Sequence, residues 1–365
     1  MRRLLREITI PALAIFTALL ISVPVIGAAA GWDWSKAAAA YGGLIDGALL
    51  KPNAFTNTLV AMTPLILTGL AVLLGIKAGL FNIGASGQFL VGATAGVFVG
   101  YAVQLPPILH PIMAMTVGAL AGAAWGAIPG YLKAKRGAHE VITTIMMNYL
   151  AFFLTDWLIK GPMKDPVPSN VRTPDILPTA ELGRLFLFDP NDRLHWGFII
   201  AVAMAIAVWW LFRKTTIGFA LKTSGSNPNA ARYAGIRPAR MTVLAMALSG
   251  GLAGLAGIIQ VLGLDHNLPA LFSSDFGFDG ITVAFLGQLS PFGALPAAFL
   301  LGALRNGSDL MQIRSGGVVS KEVIFLVQAF TLLFIAVPPV IRWLYRLKIK
   351  KTAMEGASLT TGWGK

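Results

Sequence analysis

Apolar runs of about 20 residues alternate with short polar stretches along this chain, each run long enough to cross a hydrocarbon layer about 30 Å thick. The pattern predicts helices over Ile8–Ala30, Thr58–Ile76 (interrupted by Pro64), Gly79–Val103, Ile108–Leu132, Val141–Ile159, Trp196–Phe212 and Met241–Leu264. The first run follows Arg2, Arg3 and Arg6 but is longer than the apolar core of a signal peptide, so it reads as a first spanning helix. Trp32 and Trp34 sit in the polar stretch after it, as interface anchors of an outer segment.

Charge decides the last third. If Gly280–Leu304 were one crossing, the final run Val323–Ile341 would leave Arg342, Arg346, Lys348, Lys350 and Lys351 outside, against the positive-inside rule. Splitting the region at Ser290-Pro291 into two short pieces, Gly280–Leu289 and Phe292–Leu304, restores the parity. The fold class is then all-α, a polytopic membrane helical bundle of about ten segments, some short or broken, with both termini cytoplasmic. One transmembrane domain covers 1–352 and a cytoplasmic tail covers 353–365; the proline-rich loop 161–193 lies outside. Of the 29 Lys/Arg, this topology puts 19 inside with three acids (Glu7, Glu140, Glu355), and 10 outside with 13 acids.

Composition agrees: 56% hydrophobic residues, 12% charged and a mean hydropathy of +0.70 lie far from a soluble domain. The net charge of +13 is explained by topology, so it does not point to nucleic acid. The chain has no cysteine, which excludes disulfides and thiolate chemistry. The four histidines fall at segment ends without metal-ligand spacing and read as interfacial. No catalytic triad stands out, and no G-x-x-x-x-G-K-[ST] cradles nucleotide phosphates. The chain is thus not expected to be an enzyme or to hold a cofactor or metal.

One polar stretch is more structured than a loop requires. Arg213–Arg240 holds six Lys/Arg and no acid between two apolar runs. Ile217–Thr223 reads as a short helix stopped by Ser224-Gly225. Asn227 is a helix N-cap, Pro228 the first helical residue and Gly235 a stop. Glycines spaced by four, Gly92 to Gly100 and Gly118 to Gly130, predict close backbone packing by the third and fourth helices. At membrane depth, Asn82 and Ser86 are four apart and share a face of the third helix, with Gln88 on another. Together with Asn148 they are either glue between helices or the lining of a pathway. Asp279 either caps a helix at the outer interface or touches ligand, and Gln288 would face a pathway only if the flanking half-helices re-enter. Phe81 and Phe89 offer an aromatic face or plain packing.

Three stretches carry a resemblance. GLFNIGASGQFLVGA (Gly79–Ala93), HEVITTIMMNYL (His139–Leu150) and G-x-N-P-x-A-A-x-x-A-G-I (Gly225–Ile236) resemble, in order, segments of ABC importer permeases of the branched-chain amino acid, ribose and nucleoside group. The first looks closest to nucleoside and simple-sugar permeases. Ser86 and Ser226 depart from the pattern where an acid is common, and His139 where Asn is. The resemblance implies a multi-pass cell-membrane permease subunit of an ATP-driven importer, for nucleosides or alternatively a simple sugar such as a pentose. Its implied partners are a cytoplasmic ABC ATPase that uses the ATP, a second related permease and an extracytoplasmic substrate-binding lipoprotein. Residues 213–240 become the coupling segment to the ATPase, through Gly225, Asn227, Pro228, Ala231, Arg232 and Gly235. Asn82, Ser86, Gln88, Asn148, Asp279 and Gln288 become the substrate pathway. A secondary transporter would carry more ionisable groups mid-membrane. A membrane-embedded enzyme would need clustered carboxylates or histidines at one interface, which this chain lacks.

Overall fold

A computed structural model describes residues 2–167, 171–186, 189, 191–272, 275–336 and 344–345. These form helices α1 (Arg2–Ala29), α2 (Trp34–Ile45), α3 (Ala54–Lys77), α4 (Ala85–Ala102), α5 (Leu109–Arg136), α6 (Glu140–Lys160), α7 (Gly197–Lys214), α8 (Thr216–Ser226), α9 (Pro228–Tyr233), α10 (Pro238–Gln260), α11 (Phe276–Leu286), α12 (Pro291–Arg314) and α13 (Val323–Ala336). Among the described residues the only β pairings are two isolated bridges, so the protein is all-α. Among the described residues five helices (α3, α5, α6, α7 and α10 with its π-helical extension to Asp265) have the length and apolarity to cross a membrane. The basic tail from Arg342, apart from residues 344–345, lies outside the described residues.

Helix α3 is the axle of the bundle. In its most apolar stretch 83% of residues are buried, against 28% in α5, α6 and α7, which turn their apolar sides outward as a membrane protein must. It runs unbroken through Pro64, contrary to the interruption expected there. The Thr68 hydroxyl turns back onto the Pro64 carbonyl at 3.0 Å, which meets the need of the hydroxyl in an apolar setting.

Three further expectations are corrected. The segment after the first helix, for which no helix was expected, is helical: α2 starts there, capped by Asp33 through the Ser35 and Lys36 amides. Its glycines seat it on α12, where a Cβ on Gly43 would come within 2.7 Å of the Leu310 carbonyl oxygen. Next, the chain does break before Pro291, but only α11 is short; α12 has 24 residues and continues well past Leu304. Finally, two histidines are core residues. His110 is fully buried between Thr179 and the Val99 carbonyl, and His195 is 2% exposed. Burial, followed by the nearby charge of His266, lowers the His195 pKa to about 4.

The two glycine stripes meet on a third helix. Gly92 of α4 and Gly122 of α5 both press on Gly254 of α10, and Gly126 lies against the Gly250 Cα at 3.1 Å for an added Cβ. Close packing without side chains maximises dispersion contacts where no hydrophobic drive operates. The same packing gathers charge at one end. Lys77 and Lys222 flank the Phe212 ring at 5.7 and 5.6 Å, Lys133 pairs with Glu140, and Lys135 faces Arg237 and Arg240.

Candidate functional site

Between α3 and α4 the backbone leaves helical geometry. Gly79 takes φ +75°, and residues 79–84 run irregularly through the protein interior before α4 begins at Ala85. Asn82 therefore precedes the helix, and its shared helical face with Ser86 does not exist. Its side chain is fully buried and uses all four of its hydrogen-bonding valences. The amide nitrogen donates to Gln88 Oε1 and Ser249 Oγ, both at 2.8 Å, and Oδ1 accepts from the Gly84 amide at 2.9 Å and from Gln88 Nε2 at 3.3 Å. Ser249, on α10, passes the chain on to the Ala71 carbonyl at 2.6 Å. From α6, Asn148 accepts from the Gly87 amide at 2.8 Å and donates to the Ile83 carbonyl at 3.0 Å.

The reason lies in the ends of helices. Helix α4 starts without a side-chain cap of its own, so its first amides need outside partners, and a buried unmet donor costs about 1–3 kcal/mol. Asn82 takes the Gly84 amide and Asn148 the Gly87 amide, Gln88 braces Asn82, and together they pin an irregular segment inside the bundle.

A second polar group faces the start of α4. Gly277 of α11 lies directly on Ser86, whose buried hydroxyl has no hydrogen-bond partner among the described residues. Two residues on, Asp279 is buried and forms an ion pair with Arg305 of α12 at 3.1 Å, by charge and without hydrogen-bond alignment at that oxygen. The Arg305 guanidinium also lies 4.2 Å from the centre of the Phe276 ring, and Phe276 continues to Phe89 at 5.7 Å and then to Phe272. Asp279 is thus neither an exposed cap nor alone. The apolar run was expected to end at Leu304, which hid Arg305; an arginine continuing a helix just past that point was the available signal. Gln288 is not part of this group. It is exposed in the turn between α11 and α12, with φ +51°, at the other end of α11.

The basic stretch folds as two short helices. Asn227 caps α9 through the Asn229 and Ala230 amides, both at 3.0 Å, Pro228 occupies the first turn, and Gly235 ends the segment at φ +75°. Ala231 is buried, Arg232 is exposed and bonds Asn229, and Tyr233 is 95% exposed. Gly225 is not a helix stop, since α8 runs through it to Ser226. Its place is explained by contact: a Cβ there would collide with the Ala78 and Gly79 backbone, and one on Gly79 would lie 2.6 Å from the Gly225 Cα. The basic segment therefore rests directly on the entrance to the irregular 79–84 stretch. Asn227→Ala should cost about 1 kcal/mol of capping and lower transport by an assembled system while the protein stays in the membrane. Unchanged uptake would show that α9 bears no load.

Residues 54–337 match the family described as branched-chain amino acid transport system / permease component. The chain belongs to this permease family. It is 40% identical over 317 residues to the guanosine ABC transporter permease protein NupP of Bacillus subtilis, covering 86% of this chain and 89% of that protein. Identity is 34% to the nucleoside ABC transporter permease protein NupB of Lactococcus lactis, over 91% of both chains. It is 35% to the glucose ABC transporter permease protein TsgB13 of Haloferax volcanii, over 81% of this chain and 79% of that one. No solved structure matches. This permease thus unites a helical membrane bundle, a pinned break at 79–84 and a structured basic segment seated on that break.

Proposed function

We propose that this permease carries nucleosides inward, driven by a separate ABC ATPase that docks on α8 and α9. The observation that carries the substrate is the likeness to a guanosine permease over most of both chains. The chemistry around α4 supports it. Ser86 holds a spare buried hydroxyl, and Asp279 and Arg305 sit among Phe89, Phe272 and Phe276, which suits a ligand with a flat base and hydroxyls. In this reading Ser86 and Asp279 face the substrate, with Asn82, Gln88 and Asn148 shaping the pathway behind them and Gln288 marking its far end. The ATPase closes, α9 is pushed through Asn227, Pro228, Ala231, Arg232 and Gly235, and Gly225 moves the 79–84 segment. Substrate shifts the equilibrium only through different affinity for the two states. A second permease chain and an extracytoplasmic substrate-binding lipoprotein complete the importer. The chain itself needs no cofactor.

Uptake of labelled guanosine, ribose and leucine by vesicles holding the assembled complex tests the substrate. Guanosine should accumulate; uptake of leucine alone would overturn the assignment. Ribose uptake without guanosine would favour a simple-sugar importer, a second reading that the glucose permease relative supports.

The proposed orientation has ten membrane segments, the basic end and both termini in the cytoplasm, the 161–193 loop outside and the chain in the cell membrane. Because the chain lacks cysteine, single cysteines at the exposed Ser35 and Ser226 report sidedness directly, whereas Ser224 is buried and would be spared from either side. An impermeant thiol reagent should label position 35 in sealed cells and spare 226; the reverse pattern would invert the topology. Ser169 and Ser358, further useful positions, lie outside the described residues.

A further inference from the structure

The α5–α10 contact is tight along its glycines and ends abruptly. At Gly130 an added Cβ would lie 3.1 Å from the Val243 Cα, so the helices nearly touch. Beyond it Tyr131, Ala134 and Lys135 replace glycine, and the two helices part. The space between them is a groove of about 580 Å³ at the basic end. Its rim carries Lys135, Arg237 and Arg240, and its floor is Val243, Leu244 and Ala247.

The rim cations are exposed and unneutralised. Among the described residues no ion pair or side-chain hydrogen bond engages any of the three, and of the two carboxylates on neighbouring α6, Glu140 at its start is taken by Lys133 and Asp156 by Lys160 near its end. A neutral lipid would cover the floor but leave the charges unanswered. An amphiphile with an anionic head satisfies both halves at once.

We propose that this groove binds one anionic phospholipid, its phosphate against Lys135, Arg237 and Arg240 and an acyl chain along Val243, Leu244 and Ala247. The polarity matches the order of a membrane surface, with basic groups at head-group level and apolar groups beneath. The exposed Tyr131 at the groove edge suits the same boundary, since its ring has an apolar body and a polar tip. The site also borders the coupling segment, because Arg237 lies in the same surface depression as Arg232 and Gly235. A bound anionic lipid would thereby steady the α9–α10 junction and make transport depend on membrane composition.

Native mass spectrometry of the delipidated full-length permease, offered equal phosphatidylglycerol and phosphatidylcholine, tests the site. Phosphatidylglycerol should be retained about tenfold better, and the triple variant K135Q/R237Q/R240Q should lose that preference with its melting temperature unchanged. The charge-keeping K135R/R237K/R240K should retain it, as should K36Q/K51Q, whose lysines lie within α2 and just after the π-helical turn that follows it, far from the groove in the chain. Equal retention of the two lipids, or wild-type preference in the triple Gln variant, overturns the proposal. Displacement of phosphatidylglycerol by millimolar inorganic phosphate also overturns it, showing a free-phosphate site. Should the triple variant not purify folded, Ala247→Phe fills the floor and leaves the charges. Undiminished phosphatidylglycerol retention by that variant would equally reject the lipid.

Discussion

Arg305→Met should destabilise the permease by about 3–5 kcal/mol, far more than the roughly 0.5 kcal/mol of an ordinary surface substitution. Its partner Asp279 is 3.1 Å away and buried, so the single change strands a carboxylate among Phe276 and its aromatic neighbours. Removing both charges is a different experiment. The Asp279→Asn, Arg305→Met double variant should recover most of the loss, because a buried ion pair contributes little net stability once desolvation is counted. Thermal unfolding of the purified single and double variants, read as a double-mutant cycle, gives the coupling directly. A single variant as stable as the wild type would mean the pair is not buried together. Uptake separates structure from transport. If Asp279 faces the substrate, the double variant should fold and still import guanosine at least about tenfold more slowly. Normal import by the refolded double variant would leave the pair a purely structural clasp.

Gly225→Val is expected to abolish most transport without removing the protein from the membrane. The new Cβ would meet the Ala78 and Gly79 backbone, which cannot rotate aside as a flexible side chain would. Overpacking of this kind costs about 1–3 kcal/mol, and here the strain falls on the joint between α8 and the 79–84 break. Uptake by the assembled complex should fall about tenfold or more, while the ATPase still co-purifies with the permease. The control is Gly137→Ala. That glycine has φ +67° at the end of α5 with open space around it, so the change carries only a local backbone cost of about 1–2 kcal/mol. Equal uptake by the two variants would show that the Gly225–Gly79 contact transmits nothing.

What could be read from the sequence was whatever depends on neighbours along the chain. Apolar run length placed α3, α5, α6, α7 and α10 to within a few residues, because a helix in hydrocarbon must satisfy its own backbone. Asn227, Pro228 and Gly235 declared α9 for the same reason, since cap, first turn and stop lie within nine residues and make their bonds locally. The Ser290-Pro291 break was legible because the charge of the segments on either side, counted by the positive-inside rule, requires one there. Where remote segments meet, only the tertiary structure decided. Helix α2, too short to read as a crossing, forms on the α12 surface its glycines fit. Asn82 looked like a helical residue, yet it precedes α4, and a partner 167 residues away, Ser249, takes part in holding it. Asp279 found Arg305 on another helix, and Gly225, read as a helix stop, proved to be the point where the basic segment touches the break. Local hydrogen bonds follow from local order, but a buried polar group or a bare backbone contact is worth having only when its partner arrives, and that arrival is set by packing across the whole bundle.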